Sequence, residues 1–133
     1  MIGVVIATHG KLAEEMIRTA EAVVGPLAQT TPVSVVATSP DMRGDLKNAI
    51  QRVDQGDGVL LLTDLLGGSP TNLCVSFLAE RKVEVVTGVN LPMLLKLGSL
   101  RGSGKPIAQI AQELAEAGKR AIGHVSDILR SMG

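Results

Sequence analysis

The chain is almost devoid of aromatic residues. Its 133 residues contain one phenylalanine, Phe77, and neither tryptophan nor tyrosine. Proteins hold nucleic-acid bases and sugars largely by stacking them on aromatic rings, so the sequence excludes a stacking surface of that kind. The formal net charge is zero, because 13 basic residues balance 13 acidic ones. A general electrostatic attraction to nucleic acid or to an anionic membrane is therefore excluded as well.

Cysteine and long apolar runs are equally scarce. Cys74 is the single cysteine, which excludes an internal disulfide and favours a reducing cytoplasm. The longest uncharged segment, residues 22–40, is interrupted by glycine, proline and polar residues, so it does not predict a membrane span. No basic region precedes the apolar residues 1–7, and we expect no secretory signal. The length predicts a single domain over residues 1–133.

The sequence does contain a regular alternation of strand and helix patterns. Runs of branched apolar residues predict strands at residues 2–7, 33–37, 59–63 and 83–87. Apolar residues spaced by three or four positions predict helices at residues 11–24, 42–53, 70–81 and 106–117. A short helical piece at residues 92–97 precedes a flexible glycine-rich linker at residues 98–104, and residues 120–129 fit a strand or a helix.

This alternation predicts an α/β fold, an open three-layer sandwich around a mainly parallel sheet. The flavodoxin-like strand order 2-1-3-4 is the common arrangement for such a chain. Ligands and chemistry in these folds lie at the carboxyl ends of the strands, beside the point where the strand order reverses. The residues that follow the first and third strands are therefore the candidates for function.

His9 follows the first strand, within Thr-His-Gly at residues 8–10, and Asp64 follows the third strand. The two strands are neighbours in the predicted order, so the two side chains are expected to meet. A carboxylate on one imidazole nitrogen fixes the tautomer and makes the other nitrogen a directed nucleophile. The alternative is a partly buried structural histidine and an aspartate that only forms a turn, which the strand-end position of His9 disfavours.

A glycine-rich loop follows Asp64 and ends in Gly67, Gly68, Ser69 and Pro70. With Ser69 as the N-cap and Pro70 as the first helical residue, free backbone amides at the helix start favour a phosphoryl group. Taken alone, the loop is better explained as a capped helix after a glycine turn. No nucleotide-binding fingerprint is present. The histidines and the cysteine lack the spacing of metal ligands, and we expect His124 to be structural or exposed.

Three segments in this order resemble the enzyme IIA domain of the mannose, fructose and sorbose family of the bacterial phosphoenolpyruvate-dependent sugar phosphotransferase system. They are Ile-Ala-Thr-His-Gly at residues 6–10, Asp-Leu-Leu-Gly-Gly-Ser-Pro-Thr-Asn at residues 64–72, and Gly-Val-Asn-Leu-Pro-Met-Leu at residues 88–94. Many relatives have an aromatic residue where this chain has Leu66, a departure that affects the surface where partners dock.

The resemblance implies that the chain is a cytoplasmic phosphocarrier and an enzyme IIA domain over its whole length. His9 would accept a phosphoryl group from phospho-HPr on Nε2 and pass it to an enzyme IIB on a separate chain, for sugar uptake. Asp64 would hydrogen-bond the other ring nitrogen, and Gly67, Gly68 and Ser69 would bind the phosphate. No cofactor, metal or nucleic acid is implied, and contact with a membrane permease would be peripheral. The family also implies a homodimer that exchanges a C-terminal strand, here residues 121–126.

Two other functions remain open from the sequence. In the first, phosphorylation of His9 signals to a regulatory partner without any sugar transport. In the second, the chain is a flavodoxin-like module that binds a small ligand without catalysis, although a flavin would lack aromatic rings on which to stack.

Overall fold

A computed structural model of the chain describes residues 1–36, 38–65, 68–79 and 82–133. The chain forms a four-stranded sheet with the order β2-β1-β3-β4, and every neighbouring pair is parallel. The predicted α/β class and strand order are thus confirmed. The strands are β1 (Gly3–His9), β2 (Thr30–Val35), β3 (Val59–Thr63) and β4 (Val83–Val86).

Helices cover both faces of the sheet and make it the middle layer. Side chains alternate along β1, so Val4 and Ile6 pack into one apolar cluster while Val5 and Ala7 pack into the other. In the described part of the chain, no helix combines the length and apolar character that a membrane crossing requires. The helices are α1 (Leu12–Val24), α2 (Met42–Val53), α3 (Ser69–Val75), α4 (Leu91–Arg101), α5 (Ile107–Arg120) and α6 (Val125–Met132).

Two layers of helices result from this alternation. Helices α1, α4 and α5 contribute buried residues to the first cluster, and helices α2 and α3 contribute to the second. Phe77, the single aromatic residue, is fully buried in the second cluster. The guanidinium of Arg43 in α2 lies 4.3 Å from the centre of its ring, within the range of a cation–π contact. The single aromatic ring is therefore a core residue and is not available at the surface for a ligand.

The boundaries of β2 and α3 differ from the sequence prediction. Strand β2 begins at Thr30, because it lies at the sheet edge, where Pro32 is tolerated. Helix α3 ends at Val75 instead of residue 81. Residues 76–78 continue in tight turns, in which each backbone amide donates a hydrogen bond to the carbonyl three residues earlier. Residues 80–81 lie outside the described residues, as does residue 37 of the predicted second strand.

The expected flexible linker at residues 98–104 is wrong in its first half. Helix α4 continues to Arg101 because Leu94, Leu97 and Leu100 form one buried face. Gly98 and its neighbour Ser99 lie on the exposed side of the same helix, where glycine and serine are tolerated at a modest cost.

The expected exchangeable strand at residues 121–126 is also not seen in the single chain. Residues 121–124 connect α5 to α6, and α6 begins at Val125. Its apolar residues are spaced by three, one and three positions, which is helical spacing. None of the residues of α6 is buried, so the apolar side of this helix has no partner within the described chain. The exposed apolar residues on this side are Val125, Ile128, Leu129 and Met132.

Candidate functional site

His9 and Asp64 meet at the carboxyl edge of the sheet. His9 is the last residue of β1, and Asp64 directly follows the neighbouring strand β3. The ring atom Nδ1 of His9 lies 2.9 Å from Oδ2 of Asp64. The backbone amide of His9 donates to the same oxygen at 3.1 Å. One carboxylate oxygen therefore holds both the backbone and the ring of the histidine.

The two partners differ in exposure, since the His9 side chain is 50% exposed and the Asp64 side chain 12%. Burial raises the pKa of the Asp64 carboxyl, but the hydrogen bonds and charge of His9 outweigh burial and leave this pKa below its usual value. Asp64 is therefore an anion at neutral pH and accepts a hydrogen bond from a protonated Nδ1. A neutral His9 ring then carries its lone pair on Nε2, which bonds to none of the described residues.

The glycine-rich loop lies against the imidazole ring. A Cβ added to Gly68 would lie 3.2 Å from Cε1 of His9, so glycine allows the ring this close approach. Because Cε1 is bonded to Nε2, the free nitrogen lies near the start of α3. This helix begins at Ser69, one residue earlier than expected, so Gly68 is the N-cap and no side chain caps the helix. Gly67 and Leu66 lie outside the described residues.

Buried threonines join the ends of the two strands to the helices that follow them. Thr8 accepts a hydrogen bond from the amide of Ala13 in α1 at 2.8 Å. Thr63 lies 2.6 Å from Thr71 of α3, measured between the two hydroxyl oxygens. Sequence reasoning missed these contacts. The available signal was that a threonine ends each apolar run immediately before His9 and before Asp64.

The third sequence segment, residues 88–94, supports the same edge of the sheet. The amide of Val89 donates to the carbonyl of Thr63 at 2.9 Å. The side chain of Asn90 caps α4 by accepting from the amide of Met93, and it donates to the carbonyl of Gly118 in α5. Asn90, to which sequence reasoning assigned no role, is thus a structural link between two helices and the loop beside Asp64.

Three exposed apolar residues lie at or near the ends of the elements next to His9 and are called the apolar rim here: Leu12, Val36 and Leu65. Leu12 begins α1, Val36 follows β2, and Leu65 follows Asp64. Strands β2 and β3 flank β1, so Val36 and Leu65 lie on opposite sides of the histidine. All three residues are exposed. The described residues contain no cluster of three or more histidine, cysteine, aspartate or glutamate side chains that would hold a metal ion.

Comparison with known families identifies the chain. The profile of a family described as the fructose IIA component of the phosphotransferase system matches residues 3–114. The chain belongs to this family. It is an enzyme IIA component of the mannose and fructose branch of the sugar phosphotransferase system.

Individual relatives agree with this assignment. The mannose-specific EIIAB component of Escherichia coli strain K12 is 30% identical over 124 residues, which are 91% of this chain and 38% of the relative. The chain thus spans well under half the length of that protein. A phosphotransferase IIA protein associated with a fucose utilization operon of Streptococcus pneumoniae has a similar structure, with 29% identity, a TM-score of 0.80 and coverage of 96% and 95% of the two chains. The mannose/sorbose IIA subunit of Enterococcus faecalis gives 25% identity, a TM-score of 0.81 and 92% coverage of each chain.

Proposed function

We propose that the chain is a phosphocarrier that accepts a phosphoryl group from phospho-HPr on Nε2 of His9 and passes it to an enzyme IIB for sugar uptake. The observation that carries this proposal is the His9–Asp64 pair. It leaves one ring nitrogen unbonded among the described residues, on a half-exposed side chain. The family membership supports the sugar system as the setting. We place the carrier in the cytoplasm, together with both partners.

The chemistry needs only the groups of the pair and of the two partners. The Nε2 lone pair attacks the phosphorus of the phosphorylated donor, and the donor's bond to phosphorus breaks with its electron pair returning to the donor. The Nδ1 proton stays between the ring and Asp64. The phosphorylated ring carries a positive charge, which the carboxylate stabilises. Transfer to enzyme IIB is the same displacement with His9 as the leaving group. Catalysis here is mostly positioning and electrostatics.

Gly67, Gly68 and Ser69 are proposed to bind the phosphoryl oxygens. Support comes from Gly68, where an added Cβ would lie 3.2 Å from Cε1 of His9, the ring carbon bonded to Nε2. The first backbone amides of a helix have no hydrogen-bond acceptor within the helix. Ser69, the first residue of α3, is exposed. A phosphoryl group on Nε2 would find hydrogen-bond donors there.

The apolar rim is proposed as the docking surface for both partners. Each partner must bring its own reacting atom to Nε2 of His9, so each must cover the surroundings of that atom. Three exposed apolar side chains around a single nucleophile favour burial against an apolar partner surface. Donor and acceptor would therefore occupy this surface in turn.

A homodimer is proposed as well. Helix α6 presents four exposed apolar side chains, and β4 is an edge strand of the described sheet, so both would gain from a second copy. Leu129→Glu places a charge on the apolar side of α6 and should lower the sedimentation coefficient to that of a monomer. Ser131→Glu, outside the apolar side of the helix, should leave the dimer intact. A wild-type chain that sediments as a monomer at high concentration would contradict this part of the proposal.

The phosphocarrier proposal is tested by labelling the chain with phospho-HPr, generated from phosphoenolpyruvate and enzyme I. We expect an acid-labile phosphate, which NMR should assign to Nε2 of His9. Candidate enzyme IIB proteins are then tried as acceptors. Absence of labelling, or a label on another residue, would overturn the proposal. Labelling without transfer to any enzyme IIB would instead favour a regulatory role.

A further inference from the structure

We infer that Thr71 is a positioning residue that holds the Asp64 carboxylate in place against His9. Thr71 lies in the first turn of α3, and its hydroxyl hydrogen-bonds residues other than the histidine. Its hydroxyl contacts the two residues that flank Asp64 in the sequence. The inference rests on the proposed function, because it concerns how the same site is kept ready for phosphoryl transfer.

The carboxylate has few contacts that could orient it. Oδ2 of Asp64 accepts both hydrogen bonds from His9. Oδ1 is buried and has no hydrogen-bond partner among the described residues. Among the described residues, no side chain other than that of His9 therefore hydrogen-bonds the Asp64 carboxylate. Its orientation must come from the backbone that carries it.

The hydroxyl of Thr71 contacts both neighbours of Asp64, the backbone of one and the side chain of the other. The Thr71 hydroxyl donates to the carbonyl of Leu65, immediately after Asp64. Its oxygen also lies 2.6 Å from the hydroxyl oxygen of Thr63, immediately before Asp64. A hydroxyl has one proton and a carbonyl only accepts. The Thr71 proton therefore goes to Leu65, and Thr63 donates its own proton to Thr71.

The resulting chain of hydrogen bonds is buried and directional. Thr63 and Thr71 are both buried, so either hydroxyl would be costly to leave without its partner. The amide of Val89 fixes Thr63 from the other side, through its carbonyl. Loss of the Thr71 hydroxyl would release the Leu65 carbonyl, which follows Asp64. The Thr63 backbone before Asp64 would stay in place, because the sheet and the Val89 amide still hold it. The carboxylate would then lose its fixed distance from Nδ1.

The test compares Thr71→Val, which keeps the shape but removes the hydroxyl, with Thr71→Ser, which keeps the hydroxyl. The first readout is the tautomer of the neutral His9 ring, observed by nitrogen NMR without any phosphoryl donor. We expect the proton on Nδ1 in the wild type and in Thr71→Ser. In Thr71→Val a larger fraction should carry the proton on Nε2. An unchanged tautomer population in Thr71→Val would overturn the inference.

The second readout is the rate of phosphorylation by phospho-HPr. Thr71→Val should slow it about tenfold, as is typical when a group that orients a functional side chain is removed. Thr71→Ser should restore the rate. In an Asp64→Ala background, Thr71→Val should have no further effect, because the two residues act as one unit. Equal slowing with and without Asp64 would show that Thr71 acts on the loop by another route.

One control separates positioning from lost stability. Leu100→Ala opens the core at the far end of α4, where Leu100 is buried, and it should lower the melting temperature without changing either readout. If the wild type takes no phosphate from phospho-HPr, the proposed function fails. The tautomer measurement still decides the role of Thr71 in that case.

Discussion

The molecule contains two histidines, and an aspartate holds Nδ1 of each. His9 pairs with Asp64 at 2.9 Å, and His124, at the start of α6, pairs with Asp127 at 2.7 Å. The first pair joins two strands across 55 residues of sequence, whereas the second lies within one turn of a helix. By distance alone the two pairs are equivalent, so the histidine–aspartate contact does not by itself mark the site.

The surroundings of the two pairs are what differ. Asp64 is mostly shielded and also binds the His9 amide, while His124 and Asp127 are 71% and 64% exposed. Nε2 of His124 lies 2.9 Å from the hydroxyl of Ser126, so this nitrogen has a competing partner. A fixed carboxylate and a second nitrogen without a partner among the described residues therefore distinguish the proposed nucleophile from the other histidine.

The largest expected effect is the loss of phosphorylation in one histidine variant and not in the other. His9→Ala removes the proposed nucleophile and should abolish labelling by phospho-HPr. His124→Ala should label like the wild type, because its ring has no role in the proposed transfer. Autoradiography before and after acid treatment measures both. Persistent acid-labile label on His9→Ala would remove the distinction between the two pairs.

The next largest effect separates the two aspartates. Asp64→Ala should slow phosphorylation about 10- to 100-fold, because the ring loses its fixed tautomer while the nucleophile remains. Asp127→Ala should transfer at the wild-type rate. Single-turnover kinetics with phospho-HPr measure both rates, and circular dichroism checks that the folds are intact. Equal rates for the two variants would reduce Asp64 to a turn residue.

A smaller effect is expected at the glycine beside the ring. Gly68→Ala places a methyl group 3.2 Å from Cε1 of His9, so the ring must shift and transfer should slow severalfold. Gly98→Ala is the matched control, because beyond its own helical turn the new methyl group meets no atom of the described residues within 4 Å. In the interior of α4 this change should add about 1 kcal/mol of stability. A normal rate for Gly68→Ala, measured beside this control, would contradict the close approach.

The smallest effect concerns acid stability. The pKa of Asp64 is lowered in the folded state, so its anion stabilises the fold above the unfolded pKa of about 3.9. That contribution is lost as the pH falls through the lower folded pKa. The wild type should therefore exceed Asp64→Asn in urea midpoint at pH 7, and the gap should close below about pH 4. A constant gap at every pH would contradict this assignment. Asp127→Asn, in an exposed local pair, should change little.

The sequence was sufficient for the strand order and for the position of the two candidate residues. Continuous apolar runs identify buried parallel strands, and the ends of such strands lie together at one edge, so His9 and Asp64 could be selected before any coordinates. The role of Thr71 could not be predicted in this way. A threonine in the first turn of a helix has the sequence pattern of an exposed residue, and its burial depends on how closely α3 packs on β3.

The wrong boundary of α4 has a similar cause. A Gly-Ser pair such as Gly98 and Ser99 often marks the end of a helix. Here α4 continues past it, because three leucines on the opposite face are buried in the core. The tail has too few residues for its period to decide between strand and helix. For α4, packing against residues distant in sequence determines the structure, whereas no residue of α6 is buried by such contacts in the described chain.

The shared oxygen of Asp64 has a kinetic consequence. Because Oδ2 holds both the His9 amide and its ring, the imidazole is oriented before any partner arrives. An encounter with a phosphorylated donor then costs the histidine little rotational freedom. In the role proposed here, the throughput of the carrier would depend on how quickly partners meet and separate at its surface, with no internal rearrangement of the nucleophile to wait for.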